Sequence, residues 1–500
     1  MVAPWVKDEL ATADLRDKRL NDLFQELLTW WSERPRASIP AACGGYAEMA
    51  AAYRFCDNDK VTLPGLLAPH RAATLQRIAV QDCVVLSQDT TEVDLTRPDM
   101  LVEGVGPLTD ESRVGAFLHA MHGLTRDGLP LGTVYAETWT RPFSHVSETE
   151  RRTPQYREAK KKTQKEKPIW EKESYCWIEF LRAAHEVARA APNTHVICAA
   201  DSGADVFEMF EAGQLPTKGP RADWIVRACQ DRALQKPAKD APPEEHNHYA
   251  ATRSLTTRVA AESVLYKAVI HVRGRKPKIK NDKRARRQPR ESRVAEVEIR
   301  ATRVTLRPPP RPEGELPPIT LNVVLVRETN PPAGDEPVEW LLLTSLPIDT
   351  AEQVREVIAC YSLRWMIEIF FRTLKSGCRI EERRFETLPR LLNSLAIYLI
   401  VAWRTLYVCH LGRSCSDLSC EAIFEPAEWK AVYRVVRRKP PPQEPPPLQE
   451  MVALVAQLGG YVNKRNGKPP GPQTVWLGLA RTHDFALCWQ LFGPEAKKTD

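Results

Sequence analysis

Apolar residues recur at helical spacing through the first part of the chain. Leu20, Leu23, Phe24, Leu27 and Trp31 make one stripe, which predicts a helix with Asp14 as its N-cap. Pro35 and Pro40 break that helix, and a second is predicted over Tyr46–Phe55, so residues 1–75 read as a helical module. Short apolar, β-branched runs follow. Strands are predicted at Cys83–Leu86, at Leu131–Thr138 after the Asp127-Gly128 turn signal, at His195–Ala199 and from Trp224 to Val226. A helix over Glu173–Ala191, with Trp177, Phe180, Leu181 and Ala184 inward, and helical positions at Val206, Phe207, Met209 and Phe210 alternate with them. That alternation implies a mixed α/β sheet. Between about 228 and 345 the pattern changes to strands at Val264–Val272, Val294–Leu306, Ile319–Val326 and Trp340–Leu343, separated by proline-rich turns. This reads as a β-rich insertion. After Thr350 the pattern is helical to Leu406; prolines 440–442 and 445–447 interrupt it, and Leu448–Leu458 resumes it.

Five hundred residues suffice for two to four domains with cores of their own. No run of eighteen apolar residues occurs, and the polar N-terminus lacks the apolar stretch of a signal peptide, so an intracellular protein without a membrane span is expected. The net charge of +7 is modest, but its distribution is uneven. Arg273–Arg293 is densely basic, and Lys160, Lys161, Lys162, Lys165 and Lys167 form a second tract. Such tracts favour polyanions through counterion release, although solvated loops carry them too. The twelve cysteines include no CxxC pair and the histidines no HExxH, so reduced thiols and no structural zinc are expected.

The segment YSLRWMIEIFFRTLKSG places Tyr361, Arg364, Glu368 and Lys375 at spacings of three, four and seven. On a single helix all four share one face. A carboxylate flanked by cations suits a site that holds a metal and grips phosphate, and it also suits an exposed helix with ordinary ion pairs. Asp89 and Asp201 are expected just past the C-terminal ends of short strands, where α/β sheets collect catalytic groups. Each also reads as a turn former or helix N-cap. Three carboxylates brought together repel one another, and a divalent cation relieves the repulsion. Hard oxygen donors with no Cys or His select Mg2+ or Mn2+.

The pattern Y-x2-R-x3-E-x6-K resembles the signature of the IS4-group transposases, and the chain is most similar to their Tn5-like branch over nearly its full length. Asp-Thr-Thr at Asp89 resembles the first acidic motif of this family, Ile197–Asp201 with Asp205 the second, and the Glu368 segment the third. Further similar segments are Ala52–Phe55, Leu129–Gly132, Glu171–Ser174 before Trp177, Trp340–Ser345, Glu428-Trp429 and Leu458–Tyr461. Many relatives carry Arg after the second Asp; this chain has Ser202, which puts any contact made by that Arg in doubt.

The resemblance implies an α/β fold: an RNase H-like DDE catalytic core with a β-rich insertion, flanked by helical N- and C-terminal domains. It implies an end-DNA-binding domain over 1–75, a catalytic domain over 76–411 with its insertion at about 228–345, and a C-terminal domain over 412–500 with dimer contacts. The implied activity is cut-and-paste transposition: cleavage of transposon ends through a hairpin, then strand transfer. Asp89, Asp201 and Glu368 would bind two Mg2+, with Mn2+ as a substitute. Tyr361, Arg364 and Lys375 would contact DNA phosphates, Trp340 would stack on a flipped base, and Arg227 would add a phosphate contact. The implied partners are double-stranded DNA of transposon ends and target, and a second copy in a synaptic dimer. The implied location is the bacterial cytoplasm, at the nucleoid. Two rivals remain open: an RNase H-like nuclease without strand transfer, and a transposase-derived DNA-binding protein that has lost activity.

Overall fold

A computed structural model describes every residue except 1, 145, 152, 216–218, 273, 275–289, 312–313, 464–466 and 495–500. Most of the basic tract Arg273–Arg293 therefore lies outside the described residues. The chain divides into two compact units. One comprises Met1–His145, Ala190–His195 and Trp365–Asp500, and the other Val146–Arg189 and Val196–Arg364.

The first unit is built around the helix Leu388–Ser414. Its sequence is apolar on every side, and such a helix must be buried on every side. By length and composition it could cross a membrane, but 83% of its most apolar window is buried within the fold, so it is a core helix. The helices Lys18–Glu33, Tyr46–Cys56 and Leu63–Ala79 bury Phe24, Leu27, Trp31, Phe55 and Leu66 in the same core as Leu391, Leu395 and Ile397. Trp31 stacks on Tyr398 with ring centroids 5.0 Å apart. The buried Arg383 guanidinium lies 4.4 Å from the Tyr398 ring centroid and donates to the carbonyls of Pro35, Ala37 and Cys378. It thereby anchors the break between the first two long helices. The cap of Lys18–Glu33 is Asp17, not Asp14: Asp17 accepts from Arg19 N at 3.0 Å, while Asp14 closes a turn onto Arg16 N at 2.8 Å. The C-terminal helices Pro426–Arg437, Leu448–Leu458 and Pro472–Phe492 pack on the far end of the core helix through Trp429, Val432, Met451, Val455 and Val475.

Four strands complete this unit: β1 (Cys83–Asp94), β2 (Gly106–Pro107), β3 (Val114–Thr125) and β4 (Pro130–Trp139). All pairings are antiparallel. β3 lies between β1 on one side and β2 and β4 on the other. β3 was not expected from the sequence. Ten of its twelve residues are buried, so it has no polar face and no alternation to read. At Gly132 in β4 a Cβ would sit 1.9 Å from Thr74 Oγ1, so only glycine lets β4 close on the helix Leu63–Ala79.

The second unit contains β5 (His195–Ala200, of which His195 belongs to the first unit), β6 (Asp223–Arg227), β7 (Tyr266–Val272), β8 (Arg293–Leu306), β9 (Ile319–Glu328) and β10 (Glu339–Thr344). Their order is β5-β6-β10-β9-β8-β7. β5 and β6 run parallel and the remaining pairs antiparallel. The strands expected in the insertion are thus present, and β10 returns to pair Leu342 with Arg227 of β6. The helices Tyr175–Ala190 and Phe207–Gln214 bury Phe180, Leu181, Phe207 and Phe210, the last stacked on Trp224 with ring centroids 5.2 Å apart.

Candidate active site

Asp89 lies inside β1, opposite Ala120 of β3, rather than past the strand's end. The β-branched Thr90, Thr91 and Val93 continue the extended run to Asp94, where Gly115 still pairs, so the sheet outlasts the apolar stretch that the sequence displays. Asp89 Oδ1 accepts from Thr90 N at 2.7 Å. Thr90 Oγ1 lies 2.6 Å from His119 Nδ1, and His119 Nε2 lies 3.1 Å from Gln88 Oε1. Since Gln88 Oε1 only accepts, Nε2 carries the ring proton and Nδ1 accepts from the Thr90 hydroxyl. Burial pushes the His119 pKa down to about 3, which keeps the ring neutral. The residues on either side of Asp89 are therefore locked by one cross-strand histidine. His119 was not singled out from sequence, because the pairing depends on the register of a strand that the pattern did not reveal.

Tyr361, Arg364, Glu368 and Lys375 do not ride on one uninterrupted α-helix. The first segment ends at Leu363 with Arg364 as its cap, a second runs Trp365–Arg372, and a π-helical turn covers Thr373–Gly377. Helical dihedrals persist at Arg364 (φ −51°, ψ −33°), so the interruption is a local change of winding. The unit boundary falls between Arg364 and Trp365. Within the first unit, Ile367, Phe370 and Phe371 bury one face of the second segment, with Phe370 stacked on His122 at 4.6 Å, and Glu368 is half-buried in its first turn. Lys375 donates to the Glu92 carbonyl and pairs with Glu381 at 3.3 Å, while Glu381 accepts from Asp94 N at 3.0 Å. This link joins the strand of Asp89 to the π-helical turn that follows the segment of Glu368.

In the second unit Asp201 follows β5 directly, as expected, and caps the 3-10 turn Ser202–Ala204 by accepting from Gly203 N at 2.7 Å. A Cβ at Gly203 would meet Trp177 Cζ2 at 2.7 Å and Asp201 Oδ1 at 3.0 Å, so glycine is required for the turn to press on Trp177. Asp205, 2% exposed, holds the other end of the turn. Its Oδ2 accepts from Cys229 N at 2.8 Å and Gln230 N at 2.9 Å, and its Oδ1 from Arg232 Nε at 2.9 Å. Arg232 had no signal in the sequence, because the pair spans twenty-seven positions and forms only when β6 lies beside β5.

Tyr361 is 5% exposed and lies edge-on to Trp340, with ring centroids 5.8 Å apart. The Arg364 guanidinium is 5.9 Å from its ring. Burial pushes the Tyr361 phenol up, the Arg364 and Arg227 cations oppose this, and Asp201 reinforces it. Arg227 donates to the Glu339 carbonyl at 3.2 Å. One unit thus draws together Asp201, Arg227, Trp340, Tyr361 and Arg364, and the other pairs the elements of Asp89, Glu368 and Lys375. Among the described residues no three His, Cys, Asp or Glu side chains form a ready metal site. As a donor set, the three acids suit a hard cation, and a backbone N–H already orients each aspartate.

Three family models match in consecutive order: a transposase DNA-binding domain over residues 2–61, a transposase DDE domain over 180–404 and a Tn5 transposase dimerisation domain over 400–488. Together they define a DDE transposase, an enzyme that cleaves and rejoins phosphodiester bonds. The chain belongs to the Tn5-like branch of the IS4-group transposases. The fold expected from sequence, an α/β RNase H-like core with a β-rich insertion and helical flanks, is the one found. The chain is also similar to a cryo-EM structure of a piggyBac transposase synaptic complex with hairpin DNA. The identity is 10%, over 82% of this chain and 72% of that one, with a TM-score of 0.32. DNA and a second copy of the chain are its partners, and divalent metal ions are the cofactors general to its domain.

Proposed function

We propose that the chain is a cut-and-paste transposase in which Asp89, Asp201 and Glu368 hold two Mg2+ ions, replaceable by Mn2+. With such ions bound, the site has the electrophilic assistance that phosphodiester attack requires. The bonds change in a fixed sequence. Water attacks the phosphate at the transposon end and releases a 3′-OH. That hydroxyl attacks the opposite strand, forming a hairpin and freeing the flanking DNA. Water reopens the hairpin, and the same 3′-OH then attacks a target phosphate, each step exchanging one P–O bond for another. Arg364 grips a phosphate beside the scissile bond with its planar fork, and Lys375 and Arg227 add point charge and a second fork. Lys375 would exchange its Glu381 partner for phosphate. Trp340 receives the base that hairpin bending unstacks.

The observation that carries the reading is the field around Tyr361, where Asp201, Arg227 and Arg364 act on one phenol lying edge-on to Trp340. An acid, two cations and an aromatic edge are what a bent, cut DNA strand needs at one place. We further infer domains over 1–75 (end binding), 76–411 (catalysis, with the insertion at about 228–345) and 412–500 (dimer contacts in a synaptic complex), and action on the DNA of a bacterial nucleoid. The test is Glu368→Gln with end DNA and Mg2+, which should bind as the parent does and not cut. Full cleavage by this variant would remove the three-carboxylate mechanism. Nicked products that never become hairpins in the parent would indicate the nuclease, and DNA left intact by the parent even in Mn2+ would indicate the binder without activity.

A further inference from the structure

We propose that the helix Pro154–Glu166 docks onto the phosphate backbone of duplex DNA, a contact that rests on the transposase reading and adds a surface apart from the cleavage residues. The helix is properly begun, with Thr153 as cap accepting from Tyr156 N at 3.3 Å and proline at its first position. Nothing apolar holds it afterwards: none of its described side chains is buried, and only Tyr156 is half-buried. Thirteen residues without a packed face make a marginal helix in water.

Arg157, Lys160 and Lys161 stand at i, i+3 and i+4, so their charges share one face and repel. Lys162 pairs with Glu166 at 4.0 Å, but among the described residues no acid pairs with Arg157, Lys160 or Lys161. A face of unmatched cations on an unpacked helix is complementary to a dense array of negative charge, and duplex phosphates supply one. A membrane surface is disfavoured, because interfacial helices need an apolar face and this one has none. The helix leads within nine residues to the helix Tyr175–Ala190, whose Trp177 presses on Gly203 beside Asp201, so DNA held there is tethered to the unit that carries this acid.

The experiment compares the parent with the triple variant Arg157→Ala, Lys160→Ala, Lys161→Ala and with Lys160→Arg, Lys161→Arg. Alanine is the best helix former, so the triple variant keeps the helix. Affinity for a random-sequence duplex is measured by fluorescence anisotropy across a salt series. Three lost phosphate contacts should lower the log–log salt slope by about 2.7, and the arginine variant should keep the parent slope. The same loss on a duplex carrying the DNA that flanks the chain's own gene would assign the contact to DNA of any sequence, and a loss confined to that duplex would assign it to element ends. A triple variant with the parent slope on both duplexes overturns the proposal, as does an arginine variant that loses the slope. A parent whose binding ignores salt would instead sink the transposase reading.

Discussion

Trp340 and Tyr361 meet edge to face, with ring centroids 5.8 Å apart and planes at 64°. The contact links β10 to the helix Ala351–Leu363, which Arg364 caps. Trp340 is half-buried, so its indole has both a packed and an open side. If the open side receives an unstacked base, Trp340→Ala will nick end DNA at the parent rate and accumulate few hairpins. Trp340→Phe, which keeps the aromatic contact, will retain most of the hairpin product. Denaturing gels of the cleavage time course separate the two steps, and equal losses in both would assign Trp340 to packing alone.

The Asp201 turn is predicted to depend on the Asp205–Arg232 pair. Asp205→Ala leaves the nearly buried Arg232 cation unmatched and should cost about 3–5 kcal/mol. Removing the cation as well, in Asp205→Ala with Arg232→Met, should recover part of that loss. Thermal melts of the three proteins decide the matter: a double variant no more stable than the single one would mean that the unmatched charge is not the cause. Cleavage should fall in both variants, because the backbone behind Asp201 loses its anchor.

Glu9 should make stability fall in acid. It is 4% exposed, accepts from Arg77 at 2.8 Å and 2.9 Å, and faces His70, whose Nε2 accepts from Thr133 N at 2.9 Å. Burial pushes its carboxyl up, but hydrogen bonds and charge from His70 and Arg77 outweigh burial and hold it at about 2, below the ordinary 4.5. A lowered pKa contributes stability above the unfolded value, about 3 kcal/mol for this shift, and that stability disappears as pH falls from about 4.5 towards 2. Glu9→Gln should therefore be less stable than the parent at neutral pH, and the gap should close over that window in urea titrations. A gap independent of pH would contradict the assignment.

Glu33 has the opposite sign. Its carboxyl is pushed up to about 7 by burial and by Glu428, against Arg34, and it lies 3.3 Å from His483 of the C-terminal helix. The folded state favours its protonated form, so stability is fully present below about 4.5 and is lost as pH rises through about 7. Glu33→Gln should match the parent in mild acid and exceed it above pH 7, by differential scanning fluorimetry. A variant that loses stability at every pH would place Glu33 as a needed ion partner instead.

What could be read locally was what local spacing encodes. The stripe from Leu20 to Trp31, the strands of the insertion and the succession Asp89, Asp201, Glu368 all follow from period, turn residues and motif. β3 escaped because burial on both faces removes the alternation that marks a strand. The change of winding at Arg364 and the π-helical turn at Lys375, whose side chain bonds to β1, escaped because spacing counts residues and does not report winding. The partners that hold the acids, His119 for the neighbours of Asp89 and Arg232 for the turn of Asp201, are distant in sequence and meet only through strand register. The kind of chemistry was therefore determined by residue identity and order. The anchoring of the segments that carry Asp89 and Asp201 was decided by the tertiary structure, because the buried His119 and Asp205 find partners that strand register brings to them.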